Sequence, residues 1–482
     1  MFALAAGALI LLLMPSGLKT RNRMSILLCL LTILFFGALA AYQVNRQLFA
    51  YKDPRFIRFY QQYNKRENTN APKIIRGAIL DRRGRVLVAP DLADEWKRRS
   101  ILGEAAAHPI GYRSRQFGMT GVERVLDTPL SSVRNRPPAG AETVEADPVQ
   151  ISLDSRLQGF AYDVLAGRKG AAIVLNPRTG ELLALASSPG FDPSDPSAAL
   201  RDTENTPALN RALQGLYPPA STFKLLIAAL AIDSGLNPVF NCPGSGYMIN
   251  ERTPPIRDSE YYSSERNGTV WGGWGKLNMT DALVHSSNVY FAQLGIRLGA
   301  KIFTDCTQKL FVPYTVLASG DLSLGTAAPK IPDYTKGPRR LAFASIGQDD
   351  ILVTPLHIAL LTAVIANNGQ LVQPTLAFPS TPAPQTIFRP STAVRLADMM
   401  REAVIRGTAR GVEIPGLSVC GKTGTAEAGG GDDHSWFTCF APKNNPRLVV
   451  TVLIERGGFG SAAAVPAAKE ILLEARRLKY LP

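Results

Sequence analysis

Ser221 and Lys224 form an S-x-x-K pair in the segment YPPASTFK (217–224). Two prolines precede the serine and the apolar run LLIAALAI follows the lysine, a pattern that predicts a buried helix over 221–233. Residues at i and i+3 share one helix face, so the hydroxyl and the ammonium meet near its N-terminus, where backbone N–H groups favour an oxyanion. Because burial disfavours a charged ammonium, Lys224 is expected to act as the base for a serine nucleophile.

Two further segments supply groups that such chemistry needs. An S-x-x-K pair alone is common, and Ser16-Gly-Leu-Lys19 has the same spacing. Ser286 and Asn288, at the start of a predicted helix, offer a second hydroxyl and an amide. The segment CGKTGTA (420–426) places a cation and two hydroxyls around a glycine at a strand edge, where a substrate backbone can come close. Together, the three segments supply a candidate serine nucleophile, its base and further groups that can bind a substrate.

The elements that must position these groups follow from the apolar pattern. The segment GAAIVLNPRTGELLALASS (170–188) predicts a β-hairpin. Strands followed by helices and then strands again indicate an α+β domain whose sheet is closed by distant parts of the chain. Further helices are predicted at 279–298, 355–367, 393–407 and 464–478, and strands at 434–441 and 447–455. The Pro- and Ala-rich segment 134–148 has linker composition, so we place a domain boundary near 150.

The N-terminal region predicts a membrane anchor. Met24–Tyr42 is a run of nineteen residues without a charge, about the ~20 residues needed to cross a bilayer as a helix. Lys19, Arg21 and Arg23 precede it, so the positive-inside rule places the N-terminus in the cytoplasm and the later chain outside. Two alternatives stay open: a hairpin in which the apolar run 2–14 also inserts, and cleavage at the peptidase-like site Ala38-Leu39-Ala40.

Charge and metal-ligand patterns narrow the classes of function. The net charge of the chain is +14. Residues 43–150 hold 19 basic and 12 acidic groups, so this segment carries half of the net positive charge. A basic segment beside a membrane faces anionic lipid headgroups or an acidic partner, or is a solvated surface, and binding of nucleic acid is excluded by its location. Five cysteines and four histidines show no metal-ligand spacing, so we predict no metal and no cofactor.

In this order and with these gaps, the three segments resemble the active site of the penicillin-binding protein and serine β-lactamase superfamily. Other parts of the chain are similar to penicillin-binding transpeptidases: 170–193, 210–224, 345–359, 406–411, 421–427 and 436–442. The motif RGAILDRRG (76–84) and the segment Gly121-Val-Glu123 resemble the pedestal of class B members. The resemblance implies an anchor (1–42, helix at 24–42), a short pedestal (43–150) and a transpeptidase domain (151–482) with helices on both sides of an antiparallel sheet.

The resemblance also implies a mechanism. Ser221 would attack the carbonyl between the two D-alanines of a peptidoglycan stem peptide while Lys224 takes its proton. Ser286 would pass a proton to the leaving amine and Asn288 would hold the donor amide. The substrate carboxylate would bind at Lys422, Thr423, Gly424 and Thr425, with the backbone N–H groups of Ser221 and Thr425 as the oxyanion hole. The acyl group would then pass to an amine of a second stem peptide, and β-lactams would acylate Ser221.

The same resemblance implies the surroundings of the protein. A single-pass protein of the bacterial plasma membrane is expected, with its catalytic domain outside the cytoplasm and a membrane glycosyltransferase as partner. Residues 43–150 are too few for a glycosyltransferase domain, which excludes the bifunctional class A. A class D β-lactamase, which shares the STFK tetrad, and a β-lactam sensor remain as alternatives.

Three residues depart from the family pattern, and one cysteine pair is left open. Ala220 stands where the family usually has glycine, His285 where lysine is frequent, and Asp349 at the second glycine of a GQG-like segment. Cys420 and Cys439 flank strands expected to be neighbours, so a disulfide between them is one option in an oxidising compartment.

Overall fold

The computed structural model describes residues 20–48, 72–92, 94, 96–133, 141–335, 337–379 and 383–482. The chain divides into two compact units, Met1–Ala71 and Pro72–Pro482. In the first unit, the helix Thr20–Leu48 contains the stretch Leu28–Asn45, which is long and apolar enough to cross a membrane. The helix predicted at 24–42 is therefore confirmed, whereas the apolar run 2–14 lies outside the described residues.

A five-stranded antiparallel sheet forms the centre of the second unit. Its strands, in spatial order, are Leu182–Ser188, Gly170–Leu175, Leu448–Ile454, His434–Ala441 and Cys420–Ala426. The predicted hairpin and C-terminal strands are confirmed, and strands about 280 residues apart in the chain pair side by side, as expected for a sheet closed by distant segments. The strand carrying the KTG segment lies at one edge.

Helices cover both faces of this sheet, as predicted. On one face lies the helix Pro355–Ala366, in which all twelve residues are buried. The helices Ser155–Asp163 and Ala464–Arg477 pack on the other face. Because both faces are covered, the five strands are almost wholly buried, and each fully buried Val, Leu or Ile contributes about 1.5–3 kcal/mol. This rigid sheet fixes the position of the KTG edge.

The remaining elements of the second unit complete the fold. Its α-helices are Ala107–Ile110, Gly121–Val125, Asp127–Leu130, Ser155–Asp163, Ser197–Arg201, Lys224–Asp233, Ser259–Arg266, Met279–His285, Asn288–Leu298, Ala300–Leu310, Pro338–Ser345, Pro355–Ala366, Pro390–Arg406 and Ala464–Arg477. Short 3₁₀ turns lie at Gly103–Ala106, Ala220–Phe223 and Arg410–Val412. Small strand pairs are Lys73–Ile75 with Thr143–Glu145, Arg113–Ser114 with Gly118–Met119, Phe240–Pro243 with Gly273–Leu277, Thr315–Ser319 with Leu322–Gly325, and Gln370–Leu371 with Gln385–Thr386.

The motif RGAILDRRG (76–84) contributes the strand Ile79–Leu80 to a four-stranded sheet with the order Arg98–Ser100, Val86–Pro90, Ile79–Leu80 and Val149–Gln150. The buried Arg76 guanidinium donates from Nε to Glu123 Oε2 at 2.8 Å, and Arg98 Nε donates to the other oxygen at 2.7 Å. Glu123 thus lies between two guanidinium groups. The motif arginine and the GxE glutamate, singled out separately in the sequence, are one ion-pair network.

Asp81 of the same motif binds the start of the helix Ser155–Asp163. Its carboxylate accepts hydrogen bonds from the Arg83 and Arg85 amides, at 2.8 and 2.9 Å, and from Ser155 Oγ at 2.7 Å. These contacts join the two sides of the predicted boundary near 150 within the unit Pro72–Pro482. The boundary itself remains a prediction, and residues 134–140 of the predicted linker are outside the described part of the chain.

The cysteines Cys420 and Cys439 are both free. Cys420 lies opposite Phe440 and Gly421 lies opposite Cys439, so the two cysteine side chains point to opposite faces of the sheet. A disulfide between them is excluded by this register. Cys420 belongs to the core on one side and Cys439 to the core on the other.

Candidate active site

The nucleophile segment differs from a regular helix. Ala220–Phe223 forms a 3₁₀ turn that carries Ser221, and the α-helix begins only at Lys224. The turn is held from behind by the Ala220 amide, which donates to the Gly347 carbonyl at 2.9 Å. Lys224 Nζ lies 3.0 Å from Ser221 Oγ, the geometry expected for a base and its nucleophile.

The second segment lies at a break between two helices, and the helix start predicted there is confirmed. The helix expected over 279–298 is two helices, Met279–His285 and Asn288–Leu298, because Ser286 adopts a left-handed conformation with φ of 59°. The sharp turn brings both its carbonyl, at 2.5 Å, and its hydroxyl, at 3.4 Å, to Lys224 Nζ. Asn288 Oδ1 also accepts from Lys224 Nζ, at 2.7 Å.

The third segment approaches from the edge strand Cys420–Ala426. Lys422 Nζ donates to Ser286 Oγ at 2.8 Å and to the Thr423 carbonyl at 3.0 Å. Ser286 Oγ therefore lies between the Lys422 and Lys224 ammonium groups. Thr423 Oγ1 is 2.6 Å from Thr408 Oγ1, and Thr425 Oγ1 accepts from the Gly460 amide at 3.2 Å. The predicted residues of all three segments converge in space.

Both lysines are fully buried, and this burial sets their charge state. Desolvation lowers the pKa of Lys224 to about 7, against a smaller opposing effect of the Asp258 and Glu260 carboxylates. Desolvation, together with the positive charge of Lys224, also holds the pKa of Lys422 well below its ordinary value. Two lysines with depressed pKa values beside one hydroxyl are an arrangement typical of a site that transfers protons.

An open cavity of about 550 Å³ lies above these groups. Six of the predicted residues line it: Ser221, Ser286, Asn288, Thr423, Gly424 and Thr425. Lys224 and Lys422 are fully buried and are not among its lining residues. A Cβ on Gly424 would come within 3.1 Å of Thr222 Cγ2 and of Trp436 Cβ, so a larger residue here would press against both side chains. The oxyanion role of the Ser221 and Thr425 amides remains a prediction.

Two contributors to the site were missed by the sequence reasoning. Thr408, which meets Thr423, belongs to the RGTARG segment, whose resemblance carried no residue role. Asp258 is buried, and its carboxylate accepts from the Asn288 and Val289 amides and from Ser287 Oγ, at 2.5, 3.0 and 3.1 Å. A lone acid thirty residues before the helix that it caps gives no local sequence signal.

The three family departures occupy distinct structural positions. Ala220 has φ of 51° and Asp349 has φ of 67°, so both adopt the left-handed conformation that glycine favours. Asp349 tolerates it better than alanine does and pairs with Arg340 at 2.9 Å. The His285 ring stacks on Trp274 with centroids 3.7 Å apart and lines the cavity. None of the three displaces a catalytic group.

Comparison with known proteins agrees with this geometry. Residues 170–473 match the family described as the penicillin-binding protein transpeptidase domain. The chain belongs to this family. The family assignment, the α+β transpeptidase fold and the class of serine acyl transferase predicted from the sequence are thereby confirmed.

Curated relatives of this penicillin-binding protein are named peptidoglycan D,D-transpeptidases. It is 30% identical to the peptidoglycan D,D-transpeptidase PbpA of Mycolicibacterium smegmatis over 432 residues, covering 78% of this chain and 83% of the relative. It is 29% identical to the peptidoglycan D,D-transpeptidase MrdA of Acinetobacter baumannii, covering 75% of this chain and 63% of the relative. Both names belong to class B penicillin-binding proteins.

Solved structures give the same result. The D,D-transpeptidase domain of a peptidoglycan glycosyltransferase from Eggerthella lenta superposes with a TM-score of 0.71 at 30% identity, covering 84% of this chain and 98% of that one. Penicillin-binding protein A of M. tuberculosis, solved as a ceftriaxone acyl-enzyme complex, has a TM-score of 0.71 at 26% identity and covers 83% and 98%.

Proposed function

We propose that the protein is a peptidoglycan D,D-transpeptidase that cross-links stem peptides through an acyl-enzyme on Ser221. The observation that carries the proposal is the contact of Lys224 Nζ with Ser221 Oγ at 3.0 Å, beside a cavity that residues of all three segments line. The names of the relatives, PbpA and MrdA D,D-transpeptidases, supply the substrate class.

In the acylation step, Lys224 takes the Ser221 proton as the oxygen attacks the carbonyl of the penultimate D-alanine. The Ser221 and Thr425 backbone N–H groups stabilise the oxyanion. The Cα-amine of the terminal D-alanine leaves with a proton delivered through Ser286 Oγ, which lies 3.4 Å from Lys224 Nζ and 2.8 Å from Lys422 Nζ. Asn288 orients the donor peptide, and Lys422 with the Thr423 and Thr425 hydroxyls binds its terminal carboxylate.

In the second step, an amine of a neighbouring stem peptide attacks the Ser221 ester and forms the cross-link. A β-lactam presents an equivalent carbonyl in a strained ring, and its ester on Ser221 blocks the site. The ceftriaxone and imipenem acyl-enzyme complexes of the M. tuberculosis protein support this part of the proposal.

The proposed setting is the bacterial plasma membrane, with Thr20–Leu48 as a single span and the transpeptidase domain outside the cytoplasm. The apolar stretch Leu28–Asn45 and the basic residues before it support this topology. Residues 43–150 would act as a pedestal beside a membrane glycosyltransferase. Reporter fusions at residue 2 and after residue 482 test the topology, since a reporter that works only outside the cytoplasm should be active only at the C-terminus.

A fluorescent penicillin tests the acyl-enzyme directly. Wild-type protein should be labelled covalently, Ser221→Ala should not, and Ser259→Ala, which alters another hydroxyl lining the same cavity, should be labelled like wild type. Absence of wild-type labelling would refute the proposal. A second assay follows a labelled D-amino acid into peptidoglycan: if hydrolysis greatly exceeds transfer to the amine, the enzyme is a carboxypeptidase or a β-lactamase instead.

A further inference from the structure

Arg257 and Asp258 hold Asn288 from two sides. The Asp258 carboxylate accepts from the Asn288 backbone amide at 2.5 Å, and the Arg257 carbonyl accepts from the Asn288 side-chain Nδ2 at 3.0 Å. Once the Nδ2 group donates to Arg257, the other end of the amide, Oδ1, faces Lys224 Nζ at 2.7 Å. The orientation of the Asn288 side chain is thus set by two consecutive residues outside the three catalytic segments.

Asp258 also stabilises the turn at Ser287–Asn288 through further hydrogen bonds. Its carboxylate accepts from the Val289 amide and from Ser287 Oγ, while Ser287 Oγ accepts from the Tyr290 amide at 3.1 Å. These bonds satisfy N–H groups at the start of the helix Asn288–Leu298 that would otherwise be unpaired. The helix start lies directly after Ser286, the residue in the left-handed conformation, so the same carboxylate stabilises the break.

We propose that Asp258 is a positioning residue of the active site: it fixes the Ser287–Asn288 turn so that Asn288 and Ser286 hold Lys224 against Ser221. The inference rests on the proposed acylation of Ser221 and adds to it a residue outside the three motifs. Asp258 does not line the cavity, so it acts through Asn288 and not on the substrate.

Charge gives Asp258 a second effect on the same base. The charged groups around Lys224 are the carboxylates of Asp258 and Glu260 and the ammonium of Lys422. Asp258 is the larger of the two carboxylate effects, and both raise the pKa of Lys224 against desolvation. The charge of Asp258 also acts on the His285 ring and on the Cys242 thiol, whose pKa burial raises to about 11, so that the thiol stays protonated. Asp258 therefore favours the protonated form of Lys224, which exists after the proton leaves Ser221.

The test is the pH profile of covalent labelling by a fluorescent penicillin, measured as a rate constant. Only folded protein is labelled, so the amplitude reports folding and the rate constant reports chemistry. Asp258→Asn should lower the limiting rate by about tenfold to a hundredfold, the range for misplaced catalytic groups, and should shift the midpoint to lower pH. The shift has this sign because loss of a nearby negative charge lowers the pKa of Lys224.

Two further variants separate position from charge. Glu260→Gln is the matched control, since it removes a carboxylate near Lys224 that makes no hydrogen bond to the Asn288 turn; it should shift the midpoint slightly and leave the limiting rate unchanged. Asp258→Glu keeps the charge but moves it by one methylene, so it should lower the limiting rate with a midpoint closer to wild type than that of Asp258→Asn. If Asp258→Asn folds poorly, Asp258→Glu still tests the proposal, because it keeps a carboxylate at this position.

The proposal is overturned if Asp258→Asn or Asp258→Glu is labelled at the wild-type limiting rate. The charge effect is overturned if Asp258→Asn and Glu260→Gln share the wild-type midpoint. Failure of wild-type protein to label would instead refute the acylation of Ser221 itself, so the two failures are distinguishable.

Discussion

Ala220 and Gly347 face each other backbone to backbone behind the nucleophile. The Ala220 amide donates to the Gly347 carbonyl at 2.9 Å, and a Cβ on residue 347 would lie 1.9 Å from the Ala220 carbonyl oxygen. The turn that carries Ser221 is therefore supported by a backbone surface with no space for a side chain. Both residues have positive φ, 51° and 75°, although only one is glycine.

The strained alanine predicts that Ala220→Gly stabilises the protein. An alanine in the left-handed conformation costs roughly 1–2 kcal/mol, and glycine regains most of this while losing ~0.5–1 kcal/mol through its freer unfolded chain. We expect the free energy of unfolding to rise by up to about 1 kcal/mol. Urea unfolding measures it, and a decrease would show that Ala220 is unstrained.

At Gly347 the opposite change should be severe. Gly347→Ala forces the Ala220 carbonyl to move, so we expect a loss of stability of more than about 2 kcal/mol and much slower penicillin labelling. Gly235→Ala is the control, because Gly235 has a similar φ of 72° with nothing within 4 Å of a Cβ. It shares the conformational strain but not the clash, and labelling should stay at the wild-type rate. Equal losses in the two variants would contradict the close contact.

The depressed pKa of Lys224 predicts the pH dependence of acylation. The base is active only when neutral, so the rate of labelling should rise with pH through about 7 and level off above it. Lys224→Arg keeps a positive charge at all these pH values and should lower the rate by about a hundredfold or more. Such a base titrates between about pH 5.5 and about pH 9. A labelling rate that stays constant over this range would exclude Lys224 as the base.

The same shift predicts a stability effect of defined sign. The unfolded chain keeps the Lys224 proton up to the ordinary pKa of 10.5, whereas the folded protein releases it near 7. Between these values the unfolded state binds more protons, so the free energy of unfolding should rise with pH. Lys224→Met should reduce this slope, measured by urea unfolding at several pH values between the two pKa values.

Lys422 is predicted to recognise the substrate carboxylate and to act on Ser286. Lys422→Met should lower the rate of labelling by a carboxylate-bearing penicillin by about 10²–10³-fold, the usual effect of removing one preorganised charge or donor. A penicillin methyl ester should show a smaller difference between wild type and variant, because it lacks that charge. Lys443→Met, which removes a lysine paired with Asp398 on the surface, is the control. If the labelling rate falls equally with the free acid and with the methyl ester, Lys422 acts only on Ser286 and does not recognise the carboxylate.

The ion-pair network of the RGAILDRRG motif predicts a structural role. Glu123→Gln leaves the buried guanidinium groups of Arg76 and Arg98 with one fewer negative charge, and breaking such buried pairs costs about 3–5 kcal/mol. Glu402→Gln removes an exposed pair with Arg406 and should cost less than about 1 kcal/mol. Thermal unfolding compares the two. Similar melting temperatures would show that the network contributes little.

The parts of the site that were predicted from sequence are those in which residue type and spacing decide the chemistry. The contact of Ser221 with Lys224 follows from their i, i+3 spacing on a helical turn. The position of the KTG segment on a strand follows from the strands predicted next to it. A helix start near Asn288 was predicted, but the prediction of one helix over 279–298 was wrong, because the left-handed Ser286 carries no glycine or proline signal and the apolar pattern continues through it. Asp258 was missed because its partners are thirty residues away.

The cysteine pair shows where strand prediction stops. Cys420 and Cys439 were correctly assigned to neighbouring strands, but a shift of one residue in register moves a side chain to the other face of the sheet. The register comes from the full set of cross-strand contacts, which no local pattern contains. The contact of Trp436 could not be predicted from a local pattern either. Its indole Nε1 donates to the Pro218 carbonyl at 3.1 Å and so joins the sheet to the nucleophile segment.

The fully buried helix Pro355–Ala366 has a consequence for the proposed export of the transpeptidase domain. It is as apolar as a membrane span, yet twelve residues at 1.5 Å each cover only about 18 Å of a hydrocarbon core about 30 Å thick. A translocation channel would therefore not release this segment into the lipid. In the proposed topology, this short length would let the most apolar part of the catalytic core pass through the membrane and fold outside, while the longer N-terminal helix remains as the span.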